Sequence, residues 1–254
     1  MTQKATIAKA QVFSNSLRDA LMLNLVAEYK LDGNAVDSWG GHSTGVITAT
    51  PSSDCIQGTC YSFNGTNGDN INIPYDADTR PTGKITVGVW GSMVNWTASD
   101  ARILSCTESG GYNFNIGTSS ANVMLNIGGT YQSPFFYSTS PQTGWHYFLF
   151  TYDGRYFKVY FDGIYKSQYD AGTTTPIVYN FNNNLTIGEE AGSGAPAGTN
   201  YFTGKIDEIR IFKEAIPNSQ IKEQYYAGLN RLLANGGITG EEYMERSFVL
   251  GLGN

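Results

Sequence analysis

The sequence predicts a mainly β fold in which two antiparallel sheets pack face to face. Three observations carry this. Gly accounts for 30 of 254 residues and aromatics for 13%, while charged residues are only 15%, against about 7% Gly and 25% charged residues in an average globular chain. Ten or more segments between residues 25 and 213 alternate apolar and polar positions with a period of two. Turn residues separate them at regular spacing, with no helical stretch between. The same composition excludes a disordered chain, a helical bundle and a coiled coil.

Residues 4–25 lack Gly and Pro, and Ile7, Ala10, Phe13, Leu17 and Leu21 recur at helical steps. An amphipathic N-terminal helix is expected there. Val26–Leu31 then alternates as a strand and meets the Asp32-Gly33-Asn34 turn. Strands are expected at 61–63, 71–73 (stopped by Pro74), 85–90, 102–106, 112–116, 123–127, 145–152, 157–161, 185–187 and 204–212. Asp153-Gly154 and Asp162-Gly163 read as turns, the second as a hairpin. The tail changes period. Ile221, Tyr225, Leu229, Leu232 and Leu233 predict a helix with Asn218 or Ser219 as N-cap, stopped by Asn235-Gly236-Gly237. Thr239-Gly-Glu-Glu242 has capping-box spacing for a second helix near 240–249. The chain therefore divides into 1–24, 25–216 and 217–254.

Formal charge is −6. Residues 25–216 carry 10 cations and 17 acids, or −7, whereas residues 1–24 carry three cations and one acid, or +2. No Lys/Arg cluster exists, so no nucleic-acid partner is expected. No 18-residue apolar run exists either, so no membrane span is expected. Cys55 and Cys60 flank a four-residue loop containing Gly58, which leaves a small-ring disulfide sterically open. The alternative is two thiols in a turn. A disulfide would place the chain in an oxidising compartment. Cys106, in an apolar run, reads as a buried small hydrophobe.

Catalytic signatures are missing from the sequence. Glycoside hydrolysis needs two carboxyls flanking a bond, yet residues 79–188 hold only Asp100, Glu108, Asp153, Asp162 and Asp170. His42 and His146 are the two histidines, and His146, following Trp145 at a strand start, reads as structural. No catalytic residue is assigned and the chain is not expected to be an enzyme. A calcium ion is the better candidate, because hard cations take several oxygens held by tight turns. Asp32 and Asp37 lie in a Gly-rich turn segment, and Asp207, in the last strand, is expected to meet Asp37 at one sheet edge. The alternative is that Asp32 and Asp37 cap turns while Asp207 pairs with Arg210 or Lys205. Tyr131, Phe135, Phe136 and Tyr137 cluster around Pro134. They offer a stacking platform for a glycan, or else pack over the sheet edge.

Taken in order, Leu25–Asp32, Asp37-Ser-Trp-Gly40, Tyr61-Ser-Phe-Asn-Gly65, Ile85–Trp90, Gly144-Trp-His146, Thr151–Gly154, Val159–Gly163, Leu185–Gly188 and Gly204–Phe212 resemble a laminin G-like, concanavalin A-like jelly-roll domain over about residues 25–226. The resemblance implies a two-sheet jelly roll, a binding or adhesion role, often a structural calcium, and usually no catalysis. It also implies that an acid in the last strand, here Asp207, ligates the ion. The family's acidic pair after the Phe-Asn/Asp-Gly motif is only partly kept, as Gly68-Asp69.

Residues 4–25 resemble the second half of the long N-terminal helix of a type IV pilin or pseudopilin. The hydrophobic first half and its leader are absent from the chain, so Met1 is expected to be an artificial start. Together these imply a non-catalytic, extracellular or cell-surface subunit that presents a laminin G-like head to a glycan or surface receptor, with filament subunits as partners of the helix. A secreted carbohydrate-binding module or lectin is the alternative, and a glycoside hydrolase on the same fold a third.

Overall fold

A computed structural model describes residues 23–93, 100–106, 110–117, 120–137, 143–192 and 196–249. The N-terminal helix expected from residue 4 falls outside these residues, apart from Leu23 and Asn24, which form a turn leading into the first strand.

Numbered in chain order, the strands form two antiparallel sheets of eight. The first runs β14 (Ile164–Asp170), β13 (Tyr156–Phe161), β12 (Gly144–Tyr152), β6 (Ile85–Met93), β16 (Thr203–Phe212), β4 (Cys60–Asn64), β3 (Thr50–Ser52). β1 (Leu25–Tyr29) lies beside the C-terminal half of β16, on the edge whose N-terminal half takes β4. The second runs β10 (Thr130–Gln132), β9 (Ala121–Ile127), β8 (Tyr112–Ile116), β7 (Ala101–Ser105), β15 (Leu185–Ile187), β5 (Ile71–Ile73), β2 (Val46–Ile47), with β11 (Phe135–Tyr137) on β9. Every alternating segment of the sequence appears as a strand. Four strands beyond that reading, β2, β3, β10 and β11, have two or three residues, too few to show a period. The fifth, β14, is a polar edge strand.

The main core lies between the sheets, where Val87, Val89, Phe148, Phe150 and Ile209 of the first meet Leu104, Tyr112, Phe114 and Ile187 of the second. A second core covers the outer face of the first sheet. Trp90, Tyr147, Leu149 and Phe212 point there and are covered by Ile221, Tyr225, Leu229 and Leu232. These residues belong to helix α1 (Asn218–Ala234). Alternation thus sends odd and even residues of β6 and β12 into two different cores, and β6 is buried at all positions but Ser92. The helix comes close because Gly228 has no side chain. A Cβ there would lie 2.3 Å from Trp90 Cζ2, beside the Trp90–Tyr225 stack at 5.5 Å.

Helix α1 starts one residue earlier than its sequence signals suggest. Pro217, extended at ψ 159, is the N-cap and no side chain caps the helix, so neither Asn218 nor Ser219 plays that part. The fixed φ of proline ends the preceding extended segment by itself. The end is as expected, with the Gly237 amide donating to the Leu232 carbonyl at 2.8 Å. Helix α2 (Gly240–Val249) begins with Thr239 Oγ1 accepting the Glu242 N–H at 3.1 Å, the expected cap. Among the described residues no helix is long and apolar enough to cross a membrane.

Candidate binding site

A cleft of about 570 Å³ opens at one end of the first sheet, where β12, the β13–β14 hairpin and the two helices meet. His146, Phe161, Asp162, Lys166, Glu242 and Arg246 line it. The β12–β13 register pairs Phe148 with Phe161, so the turn residue Asp162 arrives opposite Tyr147. There its Oδ1 accepts the Tyr147 N–H at 2.9 Å, and its Oδ2 holds His146 Nδ1 at 2.7 Å. The imidazole stacks on Phe161 with centroids 4.8 Å apart. Its Nε2 is buried with no hydrogen-bond partner.

Helix α2 closes the arrangement through one residue. Arg246 donates to Tyr225 Oη (2.9 Å), the Trp145 carbonyl (2.8 Å) and Glu242 (3.2 Å), and its guanidinium lies 3.5 Å from Asp162. Burial alone would raise the Asp162 pKa, but His146 and Arg246 outweigh it and hold the carboxyl below its usual range. The Asp162 carboxylate fixes the imidazole by its contact at Nδ1. The cleft presents the rings of His146 and Phe161, an ammonium at Lys166 and a carboxylate at Glu242. That mixture suits a neutral, hydroxyl-bearing molecule. The sequence reading of Asp162 as a turn residue and His146 as structural missed this pair. The hairpin register was the available signal, since counting outward from the Asp153-Gly154 turn that joins β12 to β13 sets Asp162 opposite Tyr147 and beside His146.

The three acids expected to hold calcium do not converge, and they do not fit the ion as a set. Tyr29 pairs with Ile209 on one side and bridges to Asp37 on the other, so β1 itself separates Asp37 from the strand carrying Asp207. Asp37 accepts backbone N–H groups from Glu28, Trp39 and Gly40, each at 2.9 Å, and from His42 at 3.4 Å. Its Oδ2 also contacts His42 Nδ1 at 2.5 Å. Burial would raise its pKa, but these donors keep Asp37 below the usual carboxylate range. Asp32 accepts the Thr59 N–H at 3.1 Å. Asp207 accepts from Ile56 (2.9 Å), Gln57 (3.3 Å) and Glu208 (3.0 Å). Burial and the neighbouring Glu208 push it up to about 8.

Asp32 and Asp207 thus grip the same loop, the one closed by the Cys55–Cys60 disulfide with Cα atoms 5.5 Å apart. The N–H groups that Asp207 accepts there only partly offset its burial and the charge of Glu208. Asp207 lacks a cation partner because Lys205 reaches Asp54 instead, while Arg210 bonds Glu28 and Glu208. Cys106 is a buried free thiol, as expected.

The aromatic cluster is divided by strand geometry. Successive residues of β11 point to opposite faces, so Phe136 is buried against Phe114 and Phe148 while Phe135 is 48% exposed. The Tyr131 hydroxyl is tied to both the N–H and the carbonyl of Gly110. The side chain of Tyr137 lies outside the described residues. Tyr131, Phe135 and Phe136 form no common face, and Phe135 alone of the three is well exposed.

Comparison with known proteins agrees with this architecture. A family model described as the concanavalin A-like lectin/glucanases superfamily, Laminin_G_3, matches residues 64–222. No curated protein matches the chain. Among solved structures, the binding domain of Paraclostridial Mosquitocidal Protein 1 is similar with a TM-score of 0.67 at 12% identity, covering 83% of this chain and 53% of that one. Domain 4 of AbnA, a GH43 extracellular arabinanase from Geobacillus stearothermophilus solved with arabinotriose, has a TM-score of 0.60 at 20% identity, covering 79% and 97%. The binding domain of botulinum neurotoxin DC in complex with SialylT has a TM-score of 0.63 at 12% identity, covering 81% and 52%. The chain thus spans about half the length of the toxin domains it matches, and at these identities the likeness is one of fold. The family match covers 159 of the 254 residues, and the chain belongs to the concanavalin A-like lectin/glucanases superfamily.

Proposed function

We propose that the chain is a non-catalytic, extracellular binding domain, and that it takes a glycan in the cleft between His146 and helix α2. The observation that carries this is the cleft itself, where the rings of His146 and Phe161 lie among the polar side chains of Lys166, Glu242 and Arg246, because a concave site with an aromatic wall and a few convergent polar groups is the usual form of a small-ligand site. The fold supports it, since the AbnA domain was solved with arabinotriose and the neurotoxin domain with SialylT. The disulfide supports an oxidising location. The test is retention on a glycan array. A glycan bound by the parent and by Phe135→Ala but lost with His146→Ala supports the cleft. Loss with Phe135→Ala alone moves the site to β11. Hydrolysis of a polysaccharide by the purified chain overturns the non-catalytic reading.

The same proposal mounts this head on a pilin-like helix at the cell surface, supported by the Phe13, Leu17 and Leu21 stripe in a segment free of Gly and Pro. Its test is the gene. A hydrophobic half-helix behind a short basic leader is expected upstream, and an ordinary secretory signal or an adjoining catalytic domain would sink the pilin part while leaving the binding head.

A further inference from the structure

At the other histidine the surroundings differ. His42 is about nine-tenths buried at its side chain, in a Gly-Gly-His loop shaped by Asp37. Gly40 is required in this loop, because a Cβ there would lie 2.3 Å from both His42 Cε1 and the Val26 carbonyl oxygen. The ring is thereby set with Nδ1 against Asp37 Oδ2 at 2.5 Å. Asp37, held by four backbone N–H groups, fixes the ring through this contact at Nδ1 and leaves Nε2 as the free end. That nitrogen makes no hydrogen bond. It faces Asp76, whose Oδ1 is 3.8 Å away. Asp78 follows, its own N–H donated to Asp76 Oδ1 at 2.9 Å at the start of the 3₁₀ turn Ala77–Thr79. One ligand atom from each of His42, Asp76 and Asp78 lies within 4.8 Å of the others.

One ring nitrogen and two carboxylates thus converge on a common point, with the ring held from behind by Asp37. We propose that His42, Asp76 and Asp78 bind a divalent transition-metal ion of the zinc type, with Asp37 as the positioning carboxylate behind the histidine. The chemistry selects the metal. An imidazole nitrogen suits zinc and its neighbours in the transition series, and zinc also accepts Asp oxygens with a fourth position left open, whereas calcium takes six to eight oxygens. A carboxylate on the far nitrogen of a metal-binding histidine fixes the tautomer and raises ligand basicity. Ligand atoms about 2.0–2.2 Å from a tetrahedral ion are roughly 3.4 Å apart. The His42–Asp76 spacing is a few tenths of an ångström wider, and Asp78, which is exposed, can rotate to close the third side.

The test is titration of the full chain, prepared without a polyhistidine tag, with zinc chloride and separately with calcium chloride, followed by calorimetry. One zinc per chain is expected, bound more tightly than calcium, with affinity reduced at least ~10-fold in His42→Gln and in Asp78→Asn. Asp78→Asn changes only an exposed side chain and keeps the test valid if the His42 variant fails to fold. A tetrahedral cobalt(II) absorption band that disappears in either variant would add support. Three results overturn the proposal: no saturable stoichiometric zinc binding, zinc binding unchanged in Asp78→Asn, or zinc binding that follows His146→Gln instead of His42→Gln.

Discussion

The two histidine centres are built alike and face different ways. In each, an aspartate holds Nδ1, at 2.5 Å for Asp37–His42 and 2.7 Å for Asp162–His146. In each, the carboxyl is held below its usual range although burial opposes this. What differs is the far nitrogen. His42 Nε2 faces Asp76, with Asp78 close by, whereas the His146 ring stacks on Phe161 in the cleft that Lys166 and Arg246 also line. We propose a cation for the first dyad and a glycan for the cleft beside the second. The neighbours of Nε2 decide, and those neighbours come from distant parts of the chain.

The most damaging way to break the comparison is to remove each aspartate. Asp162→Ala is expected to cost about 3–5 kcal/mol in denaturant unfolding, because it strips the Tyr147 N–H and leaves Arg246 without a buried counter-charge. Asp37→Ala is expected to cost roughly 2–3 kcal/mol, since what it holds is mainly backbone N–H groups and no arginine faces it. Equal costs would show that Arg246 adds nothing at the His146 centre.

The next test probes the wall behind His146. Phe136, Phe148, Phe161 and His146 form a continuous chain of ring contacts. Phe136→Ala should cost about 3–4 kcal/mol as a core truncation and should weaken glycan retention in the cleft while leaving zinc affinity at His42 unchanged. A parallel loss of zinc affinity would mean that the two centres are coupled.

The pH dependence of stability separates both centres from Asp207. Asp37 and Asp162 have depressed pKa values, so the stability they contribute is present above the usual carboxylate range and is lost as pH falls through their folded values. The acid limb should therefore be shallower in Asp37→Asn and in Asp162→Asn. Asp207 is raised from 3.8 to about 8, so its contribution is full below about pH 4 and is lost as pH rises towards 8. Melting temperature should fall from pH 5 to pH 8, and Asp207→Asn should flatten that limb alone. The smallest effect is expected for Phe135→Ala, within about 0.5 kcal/mol of the parent because the side chain is exposed. A larger loss would restore β11 as a structured face.

Much of the fold was legible in short-range pattern. Ile85–Trp90 and Trp145–Tyr152 show their strands through alternation, and Asp162-Gly163 shows the hairpin through the left-handed backbone that both residues adopt, φ 51 and 73. Thr239 shows the α2 cap. The pairing of Cys55 with Cys60 was an open alternative because nothing local excludes two thiols. The candidate site was less legible. Asp32, Asp37 and Asp207 were recognised as special acids, but a carboxylate that accepts N–H groups and one that ligates a cation have the same identity in the sequence. The aromatic cluster failed for a related reason: one residue of register decides whether Phe135 or Phe136 is the buried one.

The sequence by itself determined the class of fold, the strand order along the chain, the two terminal helical signals at 218–234 and 240–249, and the absence of a local catalytic motif. These depend on periods of 2 and 3.6 and on turn chemistry, which are written within a few residues. Tertiary structure decided what faces each histidine, which acids share the disulfide loop, and that α1 buries the outer face of the first sheet. Those outcomes join residues 42 with 76, 146 with 246, and 56 with 207. Side chains that far apart acquire a chemistry only when sheet register and helix packing set their distances, because hydrogen bonds and ligand fields act over a few ångströms.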